Sequence, residues 1–217
     1  ALRDFRRHPA FTGVIVAILA LGIGSNAAIF SLINAVRLRP LPVPQPEQLV
    51  MLGSNSMTGG IGSSSTVFGT VFTYASYREL HQRTPWLTGL VASGITGRLD
   101  VVPNAQAREP EHPSGRFVSG NYFEVIGARV VFGRALAASD VGSSGRGAVA
   151  IVSDGFWRRR FGGAADVLTK TIELSGVQFT VVGVAESGFT GHAVVYPVDV
   201  WVPLTMQPVL LPGMPGL

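Results

Sequence analysis

The sequence predicts an α+β protein with one N-terminal transmembrane helix followed by a mixed α/β extracytoplasmic domain. Three observations carry this. The run from Phe11 to Val36, FTGVIVAILALGIGSNAAIFSLINAV, holds no charged residue. The rest of the chain alternates short apolar runs with helix-like stretches, punctuated by glycine, serine and proline. No fixed-period repeat interrupts that alternation.

The opening run is justified first. As a helix, its 26 residues reach roughly 39 Å, more than the ~30 Å hydrocarbon thickness of a bilayer. Pro9 stands where a helix can begin, and Pro40 and Pro42 stop it. A cleaved signal has a shorter apolar region, and here the run continues well past the small residues of SNAA. Arg3, Arg6 and Arg7 precede it against Arg37 and Arg39 after it, which favours a cytoplasmic N-terminus. The expected organisation is a cytoplasmic segment 1–9, a transmembrane helix 10–36, a proline-rich linker 37–48 and a domain 49–217. The domain reads as incomplete, because the closing run MQPVLLPGMPGL carries no finishing element.

Within the helix, Gly13, Ala17, Ala20, Gly24, Ala28, Ser31 and Ala35 recur at steps of three and four. That spacing lines them along one face, where small side chains let helix backbones approach closely in lipid. Asn26 lies near mid-span, about 160° around from Gly24. An amide in hydrocarbon needs a partner, so these eight positions are the expected packing residues of a helix with neighbours. Pro40, Pro42, Pro44 and Pro46 then favour an extended, stiff exit.

The domain elements follow in order. LVMLGSN, 49–55, reads as a strand, and Gly59 to Ser65 as a Gly/Ser loop. Thr73 to Gln82 has helical spacing of Tyr74, Tyr77 and Leu80 or His81. Leu87 to Val102 reads as one or two strands broken near Thr96 and Gly97, and Arg116 to Ser119 as another. NYFEVIG is a short helix closed by Gly127. GSSGRG, 142–147, is a turn, and AVAIVS a buried strand. Asp154 is expected to cap the helix GFWRRRFG, with Phe156, Trp157, Arg160 and Phe161 toward the core. TIELSGVQFTVVGVA is a hairpin turning at Ser175 and Gly176, and DVWVPL a final strand.

Composition excludes several functions. The chain has no cysteine, which removes disulfides, thiolate zinc sites and cysteine nucleophiles. Net charge is +4, but the bases are scattered apart from an N-terminal group and Arg158–Arg160, so nucleic acid is not an expected partner. The Arg run reads as a solvated face. His8, His81, His112 and His192 lack any metal-ligand spacing and read as ordinary surface or interface histidines. A phosphate loop needs a lysine framed by glycines, and the only lysine, Lys170, stands in LTKTI. No catalytic, cofactor-binding or metal residue is therefore expected, and no cofactor.

The segment FRRHPAFTGVIVAILALGIGSNAAIFSLINAVRLRPLPVPQPEQLV resembles the first membrane segment of MacB/FtsX-type ABC transporter permeases, closest to their large orphan permease group. FVSGNYFEVIGARVVFGRAL, AVAIVSDGFWRRRFGG, DVLTKTIELSGVQFTVVGVA and DVWVPL resemble blocks of that family's MacB-like periplasmic core domain, in the family's order. Thr169 departs from it, standing where a glycine is expected before the hairpin, as does Thr73–Tyr74–Ala75 in place of a Ser-Tyr-Pro turn. The resemblance implies a non-enzymatic permease subunit in a bacterial inner (plasma) membrane, with its main domain periplasmic. It implies ATP hydrolysis on a separate nucleotide-binding ATPase subunit, a permease homodimer, and a periplasmic partner or substrate that is exported or extracted. Two readings from other classes stand beside it: a single-pass receptor or sensor with an extracytoplasmic ligand-binding domain, and a membrane-anchored hydrolase with an unrecognised site.

Overall fold

The structure, a computed structural model, describes residues 9–37, 43–52, 72–101, 112–141, 148–192 and 197–212. It divides into two compact units, Ala1–Pro40 and Leu41–Leu217. The described residues of the first unit form one long helix, α1 (Pro9–Arg37). Its stretch Ala10–Ser31 is long and apolar enough to cross a membrane, and none of it is buried.

The second unit is built on a mixed seven-stranded sheet. In chain order its elements are α2 (Tyr74–Arg83), β1 (Ser93–Arg98), β2 (Ser114–Val118), α3 (Tyr122–Ile126), β3 (Val130–Gly133), β4 (Val149–Val152), α4 (Asp154–Phe161), β5 (Thr171–Leu174), β6 (Val177–Ala185), β7 (Val200–Pro203) and α5 (Gln207–Leu210). The strand order is β1-β2-β7-β4-β6-β3, and β5 pairs with β6 beside β3. β2 runs parallel to β7 and β4 parallel to β6, while the remaining pairs are antiparallel.

Strand alternation explains the layers. In β4, Ala150 and Val152 enter one core and Ile151 the other; in β7, Val200 and Val202 enter the first and Trp201 the second. The first core also takes Phe156 and Trp157 of α4 and Leu210 of α5. The second takes Tyr122, Phe123 and Ile126 of α3, with Phe189. A strand buried on both faces has no polar positions to offer, which is why AVAIVS reads as a continuous apolar run.

Local chemistry sets the ends of the elements. Thr73 caps α2, its hydroxyl accepting from the Ser76 N–H at 3.2 Å. Ser153 caps α4 by accepting from the Phe156 N–H at 3.1 Å, so the cap expected of Asp154 sits one residue earlier. Asp154 is instead the first helical residue, where its carboxylate favours the helix N-terminus and accepts from Arg158 Nε at 2.9 Å. Arg159 also departs from a purely solvated face, donating to Asp199 at 2.8 Å. Ser175 and Gly176 both have positive φ, 48° and 83°, the backbone of a tight two-residue turn whose twist suits a hairpin. The break expected near Thr96 appears as a register shift between Ile95 and Arg98.

Two expectations need correction. Leu49–Leu52 is not a strand: Pro46–Gln48 forms a 3₁₀ turn and the next residues are irregular, with Val50 and Met51 largely exposed. The same turn means that this part of the linker is not fully extended. β3 was not legible in sequence, being a four-residue edge strand that exists through pairing with β6. The expected loops 59–65 and 142–147 lie outside the described residues.

Candidate functional site

The expected packing residues Gly13, Ala17, Ala20, Gly24, Asn26, Ala28, Ser31 and Ala35 all fall within α1. A Cβ built on Gly13 or Gly24 would meet nothing within 4 Å. Phe11, Ile18, Leu21 and Ile23 are all largely exposed. A helix this apolar and this uncovered needs either lipid or other helices around it.

In the second unit, the chain arrives at α3. Val43 and Leu49 are half-buried and pack against the core that contains Tyr122, Phe123 and Ile126. Between them Pro44 approaches Gly127, the residue that ends α3. A Cβ on Gly127 would lie 3.0 Å from Pro44 Cγ and 3.1 Å from Cδ, so only glycine leaves the proline ring its present room. Gly127 also has φ 76°, the left-handed conformation that releases the chain from the helix. One glycine thus meets two demands, and the sequence shows only the helix stop.

Behind this seat the second core is aromatic. Phe123 meets Trp201 edge-on at 5.5 Å, and Phe189 stacks on Trp201 at 5.4 Å. Rings packed in this way resist local deformation, because interdigitated side chains in close-packed cores have few alternative rotamers. These rings join α3 to β7, a central strand of the sheet.

A polar chain leaves α3 in another direction. The Tyr122 hydroxyl lies 2.9 Å from His192 Nδ1, and Arg116 Nη1 lies 3.1 Å from His192 Nε2. A guanidinium can only donate, so Nε2 accepts and the ring hydrogen is on Nδ1, donating to the Tyr122 oxygen. Burial, reinforced by the Arg116 charge, lowers His192 to about 4. Burial likewise pushes the Tyr122 phenol up to about 12, against the pull of Arg116. The imidazole is neutral and the guanidinium charged at ordinary pH. His192 is therefore a half-buried connector, where sequence reading had placed an ordinary surface or interface histidine. Its partners stand 76 and 70 residues away in the chain, and no local pattern announces them.

The other described histidines do not join it. His81 stacks edge-on against Tyr77, and His112 lies 3.0 Å from an Asp100 carboxylate oxygen. Among the described residues no group of three or more His, Asp or Glu side chains is gathered as a metal site.

Comparison with known families decides the identity. Residues 12–213 match the MacB-like periplasmic core domain. The chain belongs to that family. Two solved structures are similar to this MacB-like domain. One is the extracellular domain of the noncanonic ABC-type transporter YknZ from Gram-positive bacteria, at 21% identity, TM-score 0.51 and 64% of this chain. The other is the periplasmic region of MacB from Actinobacillus actinomycetemcomitans, at 18% identity, TM-score 0.50 and 66% of this chain. At these identities the likeness is one of fold. The chain covers 65% and 60% of the two structures' own lengths. No curated protein sequence matches.

Proposed function

We propose that this MacB-like domain and its helix form part of a permease subunit of an ABC-type transporter. In this reading ATP is hydrolysed on a separate nucleotide-binding subunit, and the permease relays the resulting membrane-helix movement to its extracytoplasmic domain. The movement exports or extracts a substrate on that side. α1 crosses the bacterial plasma membrane, residues 1–9 are cytoplasmic, 37–48 is the linker and the domain from residue 49 onward is extracytoplasmic. The permease works as a homodimer. The small-residue face of α1, from Gly13 to Ala35, and Asn26 are its helix-packing contacts.

The observation that carries the relay is the seat at α3. A flexible tether would leave the domain indifferent to the helix. Here Val43 and Leu49 are anchored in a core, and Pro44 abuts the glycine that ends α3. Proline restricts the chain between them, which favours transmission of displacement over its loss in chain motion. The family match supports the transporter class, and the uncovered apolar α1 supports the membrane anchor.

The test uses the full-length permease with its ATPase in nanodiscs. Gln178, exposed on the β5–β6 hairpin, is replaced by cysteine and spin-labelled. The distance between the two labels of the dimer should change between the nucleotide-free and ATP-vanadate states. Replacing Val43 and Leu49 by serine should suppress that change while ATP hydrolysis continues. A distance distribution indifferent to nucleotide would overturn the relay.

A further inference from the structure

We propose that Arg116, with Ser93 and His192, forms a seat for a carboxylate presented to the domain from outside. Arg116 stands on β2 and is 7% exposed. Its Nη1 donates to Ser93 Oγ and to His192 Nε2, each at 3.1 Å. Both acceptors are neutral. Its Nε is buried without an acceptor among the described residues. Buried cations are ordinarily paired with an anion and fully hydrogen-bonded. No described carboxylate is paired with this one. Asp199 is engaged by Arg159 and the Ser114 N–H, Asp140 by Arg134, and Glu186 by Arg129. Among the described residues Arg116 therefore has no anion, and its guanidinium is a planar fork of donors suited to a carboxylate.

The seat has an open side. β1 is an edge strand of the sheet, and Ile95 on it is the register partner of Arg116. Ile95 is 56% exposed, and Ser93 is exposed beside it. A ligand reaching over this edge would lay an apolar group on Ile95 and its carboxylate against Arg116. On entry it takes Nη1 from His192 Nε2. That nitrogen is then free to bind a proton and donate to the anion, so carboxylate binding is accompanied by proton uptake. The charged and titratable groups facing His192 are Arg116 from β2 and Tyr122 from α3, with no others among the described residues. Because Tyr122 belongs to α3, occupancy of the seat is felt where the linker docks. That last link rests on the proposed relay; binding at Arg116 does not.

The experiment titrates the full chain in nanodiscs, with ¹⁵N-labelled histidine, using N-acetylglycine as the probe and N-acetylglycinamide as the uncharged control. The His192 ring signals should shift saturably with the acid and not with the amide. Affinity should tighten as pH falls from about 8 to about 6, in step with proton uptake. Arg116→Met should abolish the response. Should that variant fail to fold, Arg116→Lys keeps the charge but loses the fork, and at least tenfold weaker binding is expected. N-acetyl-Ala-Ala-Gly binding at least tenfold tighter than N-acetylglycine assigns the carboxylate to a peptide chain, and equal binding to a small free acid; both sustain the seat. No saturable shift with either acid, an equal response to the amide, or an undiminished response in the Arg116 variant that folds would overturn it. Carboxylate binding that persists while the Gln178 distance ignores nucleotide would sink the relay and leave the seat standing.

Discussion

Ala10–Ser31 of α1 is uncovered along its whole length, whereas Ala150, Ile151 and Val152 of β4 are wholly buried. Both are predominantly apolar and hold no charged residue. The difference lies in what each can pair with. A four-residue strand cannot satisfy its own backbone and must be flanked, so β4 sits between β6 and β7 with a core on each face. A helix satisfies its backbone internally and can stand alone wherever the surroundings are apolar. Apolarity drives a segment out of water. Backbone hydrogen bonding decides whether the refuge is a sheet or a bilayer.

This contrast can be broken or sharpened by substitution. The largest effect is expected in the domain: Trp201→Ala should cost about 3–5 kcal/mol in denaturant unfolding, since it removes the ring on which Phe123 and Phe189 pack. Next comes acid. The folded His192 value of about 4 lies below its ordinary 6.5, so its contribution is full above pH 6.5 and is lost as pH falls through 4. The loss should be roughly 2–3 kcal/mol, allowing for its partial exposure, and His192→Gln should flatten that part of the stability-against-pH curve.

Effects on α1 should appear in assembly. Replacing Gly24 and Ala28 together by leucine should weaken permease association in membranes by about tenfold or more, read by cross-linking or single-molecule photobleaching. Unchanged assembly would remove the packing role of that face. Ser153→Ala should cost about 1 kcal/mol of domain stability by removing the cap of α4. The smallest effect is the sharpest control. Leu21→Ala, at a position 78% exposed, should change domain unfolding by less than about 0.5 kcal/mol. A larger change would mean that α1 and the domain share stabilising contacts.

Legibility followed the range of the interactions. The hairpin at Ser175 and Gly176, the helix stop at Gly127 and the helices around Tyr74 and Phe156 each rest on contacts within a few residues. Those could be read directly. The cap of α4 was misplaced by one residue because Ser153 and Asp154 are both good caps, and only the backbone angles choose between them. Leu49–Leu52 looks like a strand because it is apolar, but Leu49 turns inward against the second core while Val50 and Met51 remain exposed. β3 is not legible because VVFG is too short to show a pattern and takes its strand pairing from β6.

By itself the sequence determined that a charge-free apolar helix precedes an α+β domain, that cysteine chemistry is absent, and which residues line one face of α1. These are properties of spacing and composition, fixed before the chain folds. Tertiary structure decided the seat of Pro44 on Gly127 and the union of Arg116, His192 and Tyr122. Residues so far apart in the chain meet only when the sheet order places β2 beside β7 and α3 against its face. The physical reason is that long-range contacts carry no local signature: their stabilisation exists only once loop closure and burial have brought the partners together.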